Sequence, residues 1–244
     1  MRTLFGKLED IAIERLVTFE PPEGYWVAYS GGKDSDVILN LVRRSGVKYD
    51  AHHSLTTADP PEVVYHVREQ PDVEIHKPKA TMWEIIKQHH CPPRRNMRYC
   101  CEELKESGGE NRLVVTGIRW GESARRSKRK MVESCYKKAG TNYLNLIIDW
   151  TTTDVWQYIK QRKIKYCSLY DEGFKRLGCV LCPMTRDIER LMQRFPQICR
   201  AWERAIKATF RPEKTGMATA EEYWQWWLDR DRKMKPDKDE MLFR

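Results

Sequence analysis

The chain has 244 residues, with 44 Lys and Arg against 35 Asp and Glu for a formal charge of +9, and eight cysteines. That length suits one large α/β domain or a domain with a smaller appendage, and no run of about 18 apolar residues is present that could span a membrane. The positive excess favours an anionic partner, either a nucleic acid or a polyphosphate nucleotide. Glu9, Asp10 and Glu14 interrupt the apolar residues of the N-terminal stretch, which is unlike a secretory leader. The expectation is therefore a cytoplasmic chain whose cysteines serve as thiols, metal ligands or redox groups, not as a disulfide framework.

Residues 1–20 read as one helix, with Leu8, Ile11, Ile13, Leu16 and Val17 apolar, ended by Pro21-Pro22. The run Tyr25-Trp26-Val27-Ala28-Tyr29 reads as a buried strand that breaks at Ser30-Gly31-Gly32. From Asp34 to about Arg44 the stripe Val37, Ile38, Leu41 and Val42 predicts a helix, with Gly46 as its C-terminal cap. Two glycines at a strand-to-helix junction let the backbone curl closely around an anion. The free N–H groups and positive end of the new helix then face that anion, and Lys33 adds a full charge. Ser30, Gly31, Gly32, Lys33, Asp34 and Ser35 form a phosphate cradle, although not the G-x-x-x-x-G-K-[ST] loop.

A second strand is expected over 49–56, leading through Thr57-Ala58-Asp59 to Pro60-Pro61 and a helix up to about Gln70. Val73 to His76 reads as a third strand and 81–90 as a third helix. Such alternation predicts a doubly wound, mainly parallel sheet covered on both faces. Ligands of these sheets sit beyond the carboxyl ends of the strands, so Thr57 and Asp59 are expected to share one nucleotide site with Ser30–Ser35. Further strands are predicted over 112–118 and 144–150. The first runs into Gly117-Ile118-Arg119-Trp120-Gly121-Glu122-Ser123. The run Arg125-Arg126-Ser127-Lys128-Arg129-Lys130 places five positive charges in six residues.

Thr151 with Asp154 caps a helix carrying Val155, Trp156, Tyr158 and Ile159. From Asp187 the pattern is only helical, interrupted at Pro196. A last helix starts at the capping box of Thr219 and Glu222, and the charged segment 234–244 is expected to fray. The expected division is a nucleotide-binding domain over 1–186, containing the Cys-rich site, and a helical extension over 187–244. The adjacent pairs His52-His53 and His89-His90 cannot each grip one ion, because neighbours on a strand point apart, so the histidines are read as surface or core residues. Cys199, among apolar neighbours, is read as core.

The order Ser30-Gly31-Gly32-Lys33-Asp34-Ser35 resembles the PP-loop of the adenine-nucleotide α-hydrolase superfamily. Gly117-Ile118-Arg119 with Glu122-Ser123, Asp149-Trp150-Thr151 with Asp154-Val155-Trp156, and Leu169-Tyr170 through Cys179 extend the match. Together they resemble the phosphoadenosine phosphosulfate reductase family over most of 20–190. The resemblance implies a Rossmann-like, HUP-type fold binding ATP or another adenine nucleotide, with Ser30, Gly32, Lys33, Asp34 and Ser35 at the phosphates and Arg119 on the anionic group. A guanidinium suits bidentate contact with sulfate or phosphate. Cys100-Cys101 and Cys179-x-x-Cys182, separated by 77 residues, resemble the iron–sulfur branch. This implies a [4Fe–4S] cluster on four thiolates, although zinc would use the same ligands. The segment Arg98 to Lys105 also resembles a DNA-phosphorothioation branch in which Cys100 is a ligand and Cys101 is not. Cys91, Cys135 or Cys167 would then be the fourth.

One departure from the family is informative: its reductases carry a Glu-Cys-Gly-Leu-His tail whose cysteine attacks the sulfate sulfur, and no cysteine follows Cys199 here. The leading expectation is an enzyme that adenylates an acceptor, releasing pyrophosphate, in a sulfur-transfer or nucleic-acid modification reaction. Lys33, Asp34 and Arg119 are the catalytic candidates, and Asp34, Asp59 and Glu122 are candidate bases. A nucleic-acid acceptor would account for Arg94, Arg95, Arg98 and Arg125–Lys130, and a sulfur-donor protein is a further possible partner. Two other readings stand beside it: a sulfonucleotide reductase, and a nucleotide- or cluster-dependent regulator without turnover.

Overall fold

The computed structural model describes residues 4–106, 108–135 and 139–229, so the segment 234–244 lies outside the described residues. In chain order the elements are α1 (Leu4–Thr18), β1 (Tyr25–Ala28), α2 (Lys33–Ser45), β2 (Tyr49–Ser54), α3 (Pro61–Arg68), β3 (Val73–His76), α4 (Met82–Gln88) and α5 (Tyr99–Leu104). There follow β4 (Leu113–Thr116), β5 (Val132–Ser134), β6 (Asn142–Asn145), α6 (Thr152–Arg162), α7 (Ile188–Arg194), α8 (Pro196–Lys207), α9 (Pro212–Thr215) and α10 (Ala220–Leu228).

The chain divides into two compact units, and the division is interleaved where a linear one was expected. The first unit comprises residues up to Ser54, Pro61–His76 and Gly108–Gly178. The second comprises Leu55–Pro60, Lys77 to about Ser107, and the chain from Cys179 onward. This division does not coincide with the expected boundary at 186/187. The segments that follow β2 and β3 cluster with the C-terminal helices, and sequence order alone gives no sign of this.

The first unit is built on a six-stranded sheet in the order β3-β2-β1-β4-β6-β5. Every pairing is parallel except β5 with β6. Val27 lies between Ala51 on β2 and Val115 on β4, and Val115 faces Leu144 on β6. Val27, Val115 and Leu144 are fully buried, as are Val37, Ile38, Leu41 and Val42 of the α2 stripe. Gly46 ends α2 in the left-handed region, and Thr151 and Asp154 form the predicted capping box on α6. The strand order reverses direction between β1 and β4, which is where a doubly wound sheet opens a crevice at the carboxyl ends of its strands.

Two expectations change in detail. The apolar run 144–150 is not one strand: β6 stops at Asn145, and the chain then turns, with Ile148 N donating to Asn145 O (3.2 Å) and Trp150 N to Ile147 O (3.0 Å). Leu146, Ile147, Ile148 and Trp150 are still buried. Continuous apolarity reports burial, and burial does not distinguish a ladder from a packed turn. The edge strand β5 was not anticipated, because its three residues show too little alternation to register.

In the second unit the core is aromatic. Trp202 of α8 is fully buried, stacks on Trp227 of α10 (5.1 Å) and meets Trp83 of α4 edge-on (5.5 Å). Pro196 marks the expected interruption, ending the helical run of α7 and opening α8 at its first turn, a position where its missing N–H costs nothing. Thr219 caps α10 as expected, and Cys199 is buried in the core.

Candidate functional site

The cradle forms at the end of β1 because Gly31 adopts φ +73° and Gly32 then becomes the residue that caps α2. Ser35 Oγ ties the turn together: it accepts from Gly32 N (3.0 Å) and Ser30 Oγ (3.1 Å) and donates to Gly32 O (2.7 Å). Below the loop the buried Asp36 accepts from the Tyr29 hydroxyl (2.6 Å) and lies 2.8 Å from His66 Nε2. Burial, followed by the Asp36 charge, pushes the Tyr29 hydroxyl far above its ordinary range, so Tyr29 stays a neutral donor. This network fixes the start of α2 from within the unit.

The end of β4 supplies the opposite wall. Arg119 is almost wholly buried; its Nε donates to Asp34 Oδ1 (2.7 Å), and its Nη1 reaches Trp150 O (3.4 Å) and Thr152 Oγ1 (3.3 Å). Lys33 Nζ pairs with Asp34 Oδ2 (3.0 Å). Both carboxylate oxygens of Asp34 thus face cations. In this arrangement Arg119 braces the cradle through Asp34 and also lines the larger of the cavities that open here. Glu122 accepts from Arg119 N (3.0 Å) and pairs with Arg126 and Arg176.

Two adjoining cavities of about 220 and 500 Å³ open here and share Lys33, Glu122, Tyr170 and Arg176. Ser30, Gly32, Asp34, Ser35 and Gly117 line the smaller, while Arg119, Thr152 and Trp156 line the larger. The larger falls in the size range of small-ligand sites. Of the predicted residues, the structure therefore brings together Ser30 to Ser35, Gly117, Arg119 and Glu122, with Gly31 shaping the turn.

Thr57 and Asp59 belong to the second unit, and there they serve the local backbone. Thr57 Oγ1 accepts from Met82 N (2.9 Å), and Asp59 Oδ2 accepts from Thr56 N (2.7 Å). Sequence reasoning missed Tyr170, whose hydroxyl accepts from Lys33 N (3.0 Å) and whose ring lies 5.5 Å from Lys33 Nζ. Burial raises the Tyr170 pKa against the opposing pull of the Lys33 N–H. The phenol therefore occupies one of the cradle's amides as a neutral group. Leu169-Tyr170 had been read as part of a motif, but nothing local indicated that its hydroxyl returns to α2. Arg176 and Trp156 were missed for the same reason.

The second unit holds the four predicted ligand cysteines. Cys100 and Cys101 open α5, and Cys179 and Cys182 lie in a turn closed by Cys182 N on Cys179 O (3.1 Å). Val180 N donates to Ala58 O (2.8 Å), and Thr56 Oγ1 lies 3.3 Å from Cys179 Sγ. A hydrogen bond from Cys100 holds the Cys101 thiol down at about 6, against the effect of burial and with help from Arg98 and Lys105. The same bond, then burial, pushes Cys100 up. Burial also pulls the Lys105 ammonium down, but Cys179, Asp59 and Cys182 outweigh it and keep the charge in place. The result is a set of thiols with a matching cation.

Among the described residues, the only set of three His, Cys, Asp or Glu donors within 4.8 Å of one another is elsewhere in the chain. Of the alternative fourth ligands, Cys135 and Cys167 are fixed in the first unit. The Tyr143 hydroxyl meets Cys135 Sγ (3.5 Å), and burial raises the Cys167 thiol. Cys91 is half-buried in the second unit.

Comparison with known proteins agrees with this geometry. The family model for the phosphoadenosine phosphosulfate reductase domain matches residues 24–185. Similar curated proteins include an uncharacterised protein of Methanocaldococcus jannaschii, 29% identical over 221 residues, covering 82% of this chain and 45% of that protein. The adenosine 5'-phosphosulfate reductase of Oceanobacillus iheyensis is 30% identical over 117 residues, covering 46% of this chain and 48% of the enzyme. The chain thus spans about half the length of the curated relatives it matches.

Among solved structures, the phosphoadenylyl-sulfate reductase of Candida auris in its phosphate complex aligns with a TM-score of 0.55 at 21% identity. It covers 70% of this chain and 87% of that one. The FMN adenylyltransferase of Candida glabrata with FMN and an ATP analogue aligns with a TM-score of 0.52 at 16% identity, covering 78% and 73%. Both share the HUP-type α/β fold. On the family match, the sheet and the loop at its switch point, the chain belongs to the phosphoadenosine phosphosulfate reductase domain family.

Proposed function

We propose that this domain is an enzyme that binds ATP at Ser30–Ser35 and adenylates an acceptor, releasing pyrophosphate. The observation that carries the reading is the anion cradle itself, opening into cavities whose described lining contains Lys33, Arg126 and Arg176 but no cysteine. In the proposed reaction an acceptor oxygen attacks the α-phosphorus. The bond from that phosphorus to the β-phosphate oxygen breaks, and the electron pair leaves with pyrophosphate. Lys33 and the α2 amides would stabilise charge on the phosphates, which is electrostatic rather than covalent catalysis. Asp34 and Arg119 are positioning residues here, holding Lys33 at the rim. Burial of Arg119 and its three acceptors support that role.

Cys100, Cys101, Cys179 and Cys182 fit a [4Fe–4S] cluster in number and chemistry, and Lys105 would offset part of the thiolate charge. Such a cluster, with each iron capped by one thiolate, would supply redox chemistry, and the sulfur for transfer would come from a donor protein. The chain's own contribution is to bind the nucleotide, present the acceptor and keep the four thiols together.

Thermal unfolding under anaerobic conditions with matched ATP, adenylyl sulfate and phosphoadenosine phosphosulfate tests the reading. A ligand at 100 times its Kd adds about 2.7 kcal/mol to stability, so selective stabilisation by ATP, abolished in Lys33→Ala, is the expected result. Selective stabilisation by a phosphosulfate, with sulfite released on turnover, would replace adenylation by sulfonucleotide reduction. The name of the Oceanobacillus relative favours that second reading, which then needs a thiol from another segment or partner.

The acceptor we propose is a nucleic acid. Arg126 and Arg129 are paired with Glu122 and Glu133, leaving Arg125, Lys128 and Lys130 as the exposed cations of that run. Charge reversal of these three should weaken nucleic-acid binding and lower its salt slope by up to about three. An unchanged slope removes this surface from the proposal.

A further inference from the structure

His52 and His76, both read from sequence as ordinary surface or core histidines, meet on one face of the sheet in the first unit. Parallel pairing of β2 with β3 sets His52 opposite Glu74 and Ser54 opposite His76. His52 Nδ1 lies 2.8 Å from His76 Nε2 and 3.5 Å from Glu74 Oε2. One donor atom from each of the three residues falls within 4.8 Å of the others. On the far side of its ring, His52 Nε2 lies 2.5 Å from Asp50 Oδ2, and Asp50 is itself paired with Arg112 (2.5 Å).

That arrangement has the order of a metal-ligating histidine. A carboxylate that takes the Nε2 proton fixes the tautomer and leaves the Nδ1 lone pair facing the other two donors. The ring cannot swing away, because Trp26 stacks on it at 3.4 Å and 9°. His52 is 8% exposed, whereas the side chains of His76 and Glu74 are 36% and 67% exposed. The buried ligand is thus held in place, and an ion can enter past the two exposed ones.

We propose that His52 Nδ1, His76 Nε2 and a Glu74 carboxylate oxygen bind one divalent transition-metal ion of the zinc class, with Asp50 orienting His52. Two imidazoles and a carboxylate suit zinc and its neighbours and not the oxygen-seeking Mg2+ or Ca2+. Metal–nitrogen bonds of about 2.0–2.1 Å place tetrahedral donors about 3.3 Å apart. Glu74 and His52 are near that spacing, and His76 has to withdraw by about half an ångström. Asp50 and Glu74 against Arg112 leave one negative charge around the two imidazoles, which favours a cation. The site clamps β2 to the edge strand β3 and is independent of the nucleotide reading.

Cobalt titration of the full chain, stripped with EDTA, tests the proposal, because a nitrogen–oxygen site and a thiolate site have different spectra. The expected result is one equivalent of Co2+ with weak visible bands and no thiolate-to-cobalt charge transfer, displaced by Zn2+ and not by Mg2+. That equivalent should persist in Cys179→Ser and disappear in His76→Gln and in Glu74→Gln. Glu74 is exposed and outside the ring stack, so Glu74→Gln separates loss of a ligand from loss of packing, whereas His76 also stacks on His52 at 5.0 Å. Asp50→Asn should weaken affinity by about ten- to a hundredfold. Cobalt bound only with a thiolate spectrum, unchanged binding in His76→Gln, or no binding overturns the proposal and leaves a hydrogen-bonded histidine pair.

Discussion

Trp202→Ala is expected to remove most of the stability of the second unit, with the urea midpoint falling by the equivalent of about 3–5 kcal/mol. The indole is fully buried between Trp227 and Trp83, so its loss leaves a cavity that three helices cannot close without moving. It also strips a partner from the Val180 carbonyl, which accepts from Trp202 Nε1 at 2.8 Å. A buried carbonyl left unpaired adds about 1–3 kcal/mol. Against a typical total of about 5–15 kcal/mol, the sum approaches complete unfolding. W202F keeps a six-membered ring in the site and loses the N–H with the ring atoms that carry it, so it should cost less than W202A while still leaving the Val180 carbonyl unpaired. Val180 follows Cys179 directly in the turn that ends at Cys182, so W202F should also speed labelling of those thiols by a disulfide reagent. A W202A protein within about 1 kcal/mol of the wild type would remove the indole from the centre of this unit.

What the sequence made legible is what local chemistry writes locally. The cradle was readable because two glycines, a lysine and an apolar stripe fall within a dozen residues. Thr151 with Asp154 was readable because a capping box is complete within four. The rest depends on contacts made far along the chain. Arg119 is 85 residues from Asp34 and Tyr170 is 137 from Lys33, so neither pairing has a periodic signature. His52 and His76 meet only through strand register, which sets every side chain's face yet leaves no mark in a single strand. The interleaving of the two units is hidden for the same reason.

Gly31→Ala is expected to cost stability and nucleotide binding together, and a second glycine shows how much of that cost is steric. At φ +73° an alanine pays the left-handed penalty of about 1–2 kcal/mol. Its Cβ would also stand 2.8 Å from Val67 Cγ2 and 3.0 Å from Val63 Cγ1, both on α3. Relieving those contacts means displacing a packed helix, at about 1–3 kcal/mol more. Gly46 has nearly the same backbone, φ +76°, with nothing within 4 Å of its absent Cβ, so Gly46→Ala measures the backbone penalty alone. The difference between the two urea midpoints is then the clash at α3. Lys33→Ala completes the comparison: on the proposed reading it removes a charge-assisted contact of about 1.5–3 kcal/mol to the phosphates, and ATP should bind about ten- to a hundredfold more weakly. Lys33→Ala should therefore lose affinity with little change in melting, Gly46→Ala should melt earlier with affinity intact, and Gly31→Ala should lose both. If Gly31→Ala proved no less stable than Gly46→Ala, the close approach of the loop to α3 would be wrong, and with it the steric reason for the shape of the cradle.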